Sequence, residues 1–255
     1  MTAVVFDHVA LAAEHQRDVL PRYVGELGAT FSGYGEGPGF SPLQVRFANG
    51  AKVELLRPTM VERNDFLRRF LDQRGPGAHH FTFKVPDIVS SVAALGAAGY
   101  PVVNVDLTYP DWKEAFVHPK AAGIVVQLAE TPADSMPGVP PRWFDAAAPE
   151  VEGTAALVRA EHAVASLASA LTLFRDLLEG QVEAEHDAVE GGGRAVDLVW
   201  KGPSRLRLYE PGDDGALGGE PGRFGRLVFT SSRVTEADRI AADANQGTEI
   251  LVLPG

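Results

Sequence analysis

Read as an extended strand, the run from Val4 to Leu11 places Val4, Phe6, His8 and Ala10 on one side and Val5, Asp7, Val9 and Leu11 on the other. A period of two is the signature of a strand. Downstream, Val19, Leu20, Tyr23, Val24 and Leu27 share one helical face, Pro21 fits only a first turn, and Gly28 is a natural stop. LQVRFA and AKVELLRP then flank Asn49-Gly50, a strong hairpin signal, and ERNDFLRRFLDQ predicts a helix over 62–73. The same order follows again. HHFTFKV reads as a strand, Pro86-Asp87 opens a helix through DIVSSVAALGAAGY, and PVVNV, KEAFVH and GIVVQLAE read as three more strands. A strand, a helix and three strands thus occupy 3–58 and again 78–130, an internal repeat.

Residues 131–153 hold Pro132, Pro137, Pro140, Pro141 and Pro149 without a sustained apolar period, which reads as a linker. Beyond it the pattern restarts: ALVRAEHAVA, a helix over SLASALTLFRDLLEG, then AVDLVW and SRLRLYEP. A fourth copy begins with GRLVFTS, continues through VTEADRIAADANQG and closes on EILVLPG, one hairpin short. The expected division is a first domain over 1–130, a linker over 131–153 and a second, degenerate domain over 154–255.

Four polar side chains interrupt these apolar strands: His8, Glu54, His80 and Gln127. Burying an imidazole, a carboxylate and an amide costs free energy unless they meet a common partner, and a divalent metal suits all four. With no cysteine in the chain, thiolate ligation and disulfides are excluded, and the ligands must be nitrogen and oxygen. The formal net charge of -11, without a Lys/Arg cluster, argues against nucleic acid and favours a small-molecule partner. At 255 residues and 45% hydrophobic content, the chain can build one large or two small cores. The N-terminal run lacks a basic region and carries Asp7 and His8, so it does not read as a signal peptide, and no segment has the length of a membrane span; a soluble cytoplasmic protein is expected.

The runs FDHVALA, VELLRP, GPGAHHFTFKVPDI and FVHPKAAGIVVQLAE resemble the vicinal oxygen chelate superfamily (glyoxalase, bleomycin resistance and dioxygenase proteins), and most of all its methylmalonyl-CoA epimerase-like branch. The resemblance covers the first half of the chain; the second half shares only the repeat pattern. It implies an α+β fold in which βαβββ modules form half-open mixed β-barrels, here as two tandem domains with a truncated last module. It implies one divalent ion (Zn, Co, Ni, Mn or Fe) held by the first and last strands of each repeat, hence by His8, Glu54, His80 and Gln127. The implied activity is lyase or isomerase chemistry on a small carbonyl or enolisable substrate, with Glu54 as the catalytic candidate. Epimerase-like members present glutamate where this chain has Gln127, which takes no proton at neutral pH, and FSPLQVRFA supplies no second acid. An acid in the second ligand place and not the fourth also departs from the ring-cleaving dioxygenase pattern. The alternative reading is a non-catalytic small-molecule binding or antibiotic-sequestering protein of the bleomycin-resistance kind.

Other residues take their expectations from position. Lys84 shares the His80 face, and Tyr109 lies in a loop at the mouth of the cleft; both are substrate-binding candidates, with Asp106 and Asp111 beside Tyr109. His79 falls on the apolar face with Phe81 and Phe83 and is expected to pack under a helix, and His118 reads as structural. The segments 32–42 and 105–113 are expected as loops that shape the pocket. In the second half, His162 is placed where His8 stands, Arg207 replaces the acid of VELLRP, Arg226 replaces His80, and the strand for the fourth ligand is missing. Guanidiniums do not ligate cations, so this half is expected to keep the fold without a metal. Its open sheet edge points to a homodimer.

Overall fold

The computed structural model describes residues 3–132, 138–147, 155–187, 193–212 and 224–255. The first module runs β1 (Val5–Ala12), helical turns at Gln16–Asp18 and Pro21–Glu26, then β2 (Thr30–Tyr34), β3 (Gly39–Arg46) and β4 (Lys52–Thr59). Helix α1 (Phe66–Arg74) leads to the second module, β5 (Gly77–Lys84), α2 (Ile88–Ala97), β6 (Val102–Asp106), β7 (Lys113–Val117) and β8 (Val125–Glu130). Their eight strands form one sheet in the order β2-β3-β4-β1-β5-β8-β7-β6. In each module the first strand pairs in parallel with the last, and the other pairs are antiparallel. First and last strands therefore lie side by side, which brings residues far apart in sequence onto one sheet face.

The second sheet repeats this plan with β9 (Ala156–Ala163), α3 (Leu167–Leu171) continuing into a π-helical turn over Thr172–Leu177, β10 (Gln181–His186), β11 (Arg194–Val199), β12 (Arg205–Glu210), β13 (Phe224–Ser231), β14 (Asp238–Ile240) and β15 (Glu249–Pro254). Its order is β10-β11-β12-β9-β13-β15-β14. The fold is thus α+β, two open mixed sheets of tandem βαβββ modules with a shortened last module. One expectation fails in detail. β15 stands beside β13 as β8 stands beside β5, so the strand for the fourth ligand place is present; among the described residues the counterparts of β6 and α2 are what is missing.

Local chemistry explains three further departures. The expected helix over 19–28 is a π-helical turn, because Pro21 donates no hydrogen bond and Leu27 N reaches back to Arg22 O, before Gly28 stops it with φ 71°. α1 starts at Phe66 and not at 62, since Met60 adopts φ 44° and the Asn64 side chain accepts from Phe66 N, which ends one turn and opens the next. Residues 32–42 are mostly strand, joined by a tip in which Gly35 N bonds Pro42 O and Gly37 N bonds Phe40 O. Of the Pro-rich segment, 133–137 and 148–153 lie outside the described residues, while Trp143 and Phe144 pack edge-on against Tyr34 and Phe31.

Packing divides the chain into two compact units, residues 1–7, 80–133 and 159–226 in one, and 8–79, 134–158 and 227–255 in the other. The core of the first is aromatic. Phe83 stacks on Phe6 with centroids 4.9 Å apart and meets Trp200 at 5.1 Å and Phe174 at 5.9 Å. Trp200 donates its indole N–H to Leu178 O at 2.6 Å, so its polar atom is satisfied inside the core. A Cβ on Gly180 would stand 2.6 Å from the Trp200 ring, so that position admits only glycine. In the second unit Phe47 meets Phe229 at 4.9 Å, and the buried Tyr23 hydroxyl accepts from Asn245 Nδ2 at 3.2 Å. Among the described residues no helix is long and apolar enough to cross a membrane.

Candidate metal centre

The parallel β1–β4 register sets Ala10 beside Glu54 and His8 beside Lys52, so His8 and Glu54 share one face two residues apart. His80 joins them from β5. The ligand atoms of His8, Glu54 and His80 lie within 4.8 Å of one another, and all three residues are buried. His8 Nε2 and Glu54 Oε2 are 3.5 Å apart. Two ligand atoms at tetrahedral positions about 2.1 Å from an ion would be separated by about 3.4 Å. Two imidazoles and a carboxylate at that spacing fit a divalent ion of the borderline class.

β1 does not keep strict alternation here. Phe6 enters the aromatic core, whereas Asp7 pairs with Lys84 at 3.2 Å and His8 meets Glu54, so successive residues serve the polar face. Lys84 is therefore placed on the expected face but is held in a buried ion pair.

Two further polar groups, one bonded to Glu54 and one to Gln127, are not apparent from the strand patterns. Gln44 lies directly opposite Glu54 across β3 and β4 and donates Nε2–H to Glu54 Oε1 at 3.0 Å. That bond holds one carboxylate oxygen and turns the other toward His8, the kind of support that orients a ligand. The signal was available: a hairpin centred on Asn49 pairs residues whose numbers lie equally far either side, as 44 and 54 do. Replacing Gln44 with leucine, similar in size but without the donor, is expected to weaken Co²⁺ binding about 10- to 100-fold in a calorimetric titration.

The second group is Glu114 on β7. Gln127 pairs in register with Thr82, accepts from Thr82 Oγ1 at 2.7 Å and donates Nε2–H to Glu114 Oε2 at 2.8 Å, where Trp112 Nε1 also donates at 2.9 Å. The carboxylate fixes the amide, with nitrogen toward Glu114 and oxygen toward Thr82. An amide oxygen with two lone pairs can accept from Thr82 and still present an electron pair.

The remaining expectations divide. Tyr109 is 66% exposed in the loop after β6. Asp106 accepts from Thr108 N and Oγ1, bonds that hold its carboxyl below the usual range, and Asp111 is exposed on the same loop. His79 packs edge-on against Phe70 of α1 at 4.7 Å, and burial lowers its pKa to about 4. His118 accepts from Lys120 N and closes a short turn, a structural role.

The second sheet requires a correction. Arg207 pairs with Glu161 as Glu54 pairs with Ala10, and Val164 N bonds Tyr209 O as Ala13 N bonds Leu56 O. Arg159, not His162, therefore answers to His8. His162 lies fully buried with its ring edge-on to Phe81 and Nε2 2.6 Å from Ala122 O. A shift by an odd number of residues along a strand exchanges the faces, and the three-residue step between Arg159 and His162 is why matching His with His in sequence picks the wrong side. By this register, with the sequence match of Arg226 to His80, three arginines stand where the first sheet has His8, Glu54 and His80.

Paired βαβββ modules with a His–Glu–His triad on one sheet face define a class of α+β proteins with a candidate centre for a divalent ion. Residues 7–116 match the model of the Glyoxalase/Bleomycin resistance protein/Dioxygenase superfamily. Among solved structures, a hypothetical protein from Staphylococcus aureus is similar over 99% of this chain and 100% of its own, at 14% identity and a TM-score of 0.61. A triple mutant of 4-hydroxymandelate synthase from Streptomyces coelicolor is similar over 91% of this chain and 72% of its own, at 14% identity and TM-score 0.62. Methylmalonyl-CoA epimerase from Mycobacterium tuberculosis is similar over 52% of this chain and 93% of its own, at 24% identity and TM-score 0.46. The first two share the fold of nearly the whole chain. A comparison with curated proteins finds no match.

Proposed function

We propose that the chain is a divalent-metal enzyme of the lyase or isomerase type that acts on a small carbonyl or enolisable substrate. The observation that carries this reading is the buried His8–Glu54–His80 triad with its ligand atoms mutually within 4.8 Å. His8, Glu54 and His80 would hold the ion, and Gln127 would add its amide oxygen as a fourth, neutral donor. When bound, the ion would supply Lewis-acid stabilisation of negative charge developing on a substrate oxygen. Gln44 holds Glu54 in place, and Glu54, as the acid beside the substrate position, is the candidate for moving a proton. Lys84 and Tyr109 are the substrate-facing candidates on the same side of the sheet and in its flanking loop.

Loading and chemistry are tested separately. Untagged protein should contain or take up one divalent ion per chain by elemental analysis. The loaded protein should then catalyse hydrogen–deuterium exchange beside the carbonyl in at least one member of a panel of 2-oxo acids and acyl thioesters, followed by NMR. Failure to load an ion under any condition sinks the enzyme reading. The second reading, a non-catalytic binding protein, draws on the amides at Gln44 and Gln127, neither of which accepts a proton at neutral pH. Stoichiometric metal with saturable ligand binding and no exchange across the panel would favour it.

A further inference from the structure

Both modules of the first sheet place their candidate donors by one rule. In the parallel register of the first, His8 is level with Lys52 and Glu54 stands two residues further along β4; in the second, His80 is level with Val125 and Gln127 stands two residues further along β8. Gln127 therefore stands to His80 as Glu54 stands to His8. Its bond from Thr82, two residues beyond His80, sets it on the His80 face. Each donor is also held by a side chain from the neighbouring antiparallel strand, and the two holdings are opposite in kind. Glu54 is an acid held by an amide, through Gln44 Nε2 at 3.0 Å. Gln127 is an amide held by an acid, through Glu114 Oε2 at 2.8 Å.

An amide can turn either end toward a cation, and only its oxygen is a ligand. A carboxylate accepts hydrogen bonds and donates none, so Glu114 claims the NH2 end of Gln127 and leaves the oxygen end for Thr82 and the centre. Trp112 Nε1, which can only donate, meets the same Glu114 oxygen at 2.9 Å and holds it in place. The inversion also sets the charge. With Glu54 as the one carboxylate among the four donors, a divalent ion keeps one formal positive charge, while the carboxylate of Glu114 stands a hydrogen bond behind its amide. An ion that keeps net positive charge polarises a substrate oxygen more than a neutralised one does. Exchanging the side chains at 114 and 127 would bring both carboxylates onto the ion and cancel that charge.

We propose that Glu114 is a positioning residue that commits Gln127 to the centre by its oxygen and keeps a second carboxylate out of the donor set. The inference rests on the metal reading of the site, and the test exchanges the pair. Co²⁺ affinity by calorimetry and the visible absorption of the bound ion are compared in wild type, Glu114→Gln, Gln127→Glu and the double variant Glu114→Gln/Gln127→Glu. Glu114→Gln frees the Gln127 amide to turn, and is expected to weaken Co²⁺ binding at least about tenfold and to shift the visible bands while the circular dichroism spectrum is unchanged. Gln127→Glu sets two carboxylates against each other at hydrogen-bond distance, which offsets the gain of an anionic donor. The double variant puts an amide behind an acid, the arrangement of Gln44 and Glu54, and is expected to bind Co²⁺ at least about tenfold more tightly than Gln127→Glu alone. A purely structural Glu114 predicts the reverse, with the second substitution lowering affinity further. Wild-type protein that loads Co²⁺ while Glu114→Gln leaves affinity and bands unchanged, or a double variant no tighter than Gln127→Glu, overturns the proposal and leaves the metal reading standing. Wild-type protein that takes up no Co²⁺ overturns both.

Discussion

Replacing Glu54 with alanine is expected to weaken divalent-metal binding by more than about 100-fold, beyond the 10- to 100-fold typical of losing a supporting residue. Glu54 is the anionic member of the triad, and its Oε2 is the atom that faces His8 at 3.5 Å. Alanine leaves two neutral imidazoles and cuts both the charge and the denticity of the site. Glutamine in its place keeps an oxygen donor and should lose less. Calorimetric titration with Co²⁺, with the visible absorption of the bound ion as a second readout, ranks wild type, Glu54→Gln and Glu54→Ala in that order. Equal affinities for all three would remove Glu54 from the ligand set.

Phe83→Ala is expected to destabilise the protein by about 3–5 kcal/mol. Phe83 is fully buried and touches Phe6, Phe174 and Trp200, so truncation removes a ring from the centre of an aromatic cluster whose members are fixed on different strands and helices. Trp200 is tied to Leu178 O and cannot swing in to fill the space. Phe83→Leu refills part of that volume and should cost less. Urea unfolding followed by tryptophan fluorescence measures both; a loss under about 1 kcal/mol for the alanine variant would mean the cluster repacks freely.

Much of this architecture is legible in the sequence because a period of two marks strands wherever one face is polar. His8, Glu54, His80 and Gln127 stand out for that reason, and Asn49-Gly50 fixes the hairpin that carries Glu54. Other features are hidden for identifiable reasons. Glycine and proline in 32–42 suggest a loop, yet most of the segment is strand, closed by a tip in which Gly35 N bonds Pro42 O and Gly37 N bonds Phe40 O. Glu114 becomes informative only when the β7–β8 pairing brings it to Gln127, since cross-strand neighbours leave no mark on either strand alone. The exchange of Arg159 for His162 turns on a three-residue difference in register, which the backbone bonds of Val164 and Ala13 decide and the letters do not.

The three arginines of the second sheet carry one more implication. A cation that is part of a side chain cannot be withdrawn by a chelator, outcompeted by another metal or scarce in the growth medium. The crosslinks among Arg159, Glu161, Arg207, Asp197 and Arg226 are therefore made as soon as the chain folds, whatever the supply of metal. With a metal in the first sheet as proposed, its depletion should bear on that sheet and leave these crosslinks of the second untouched.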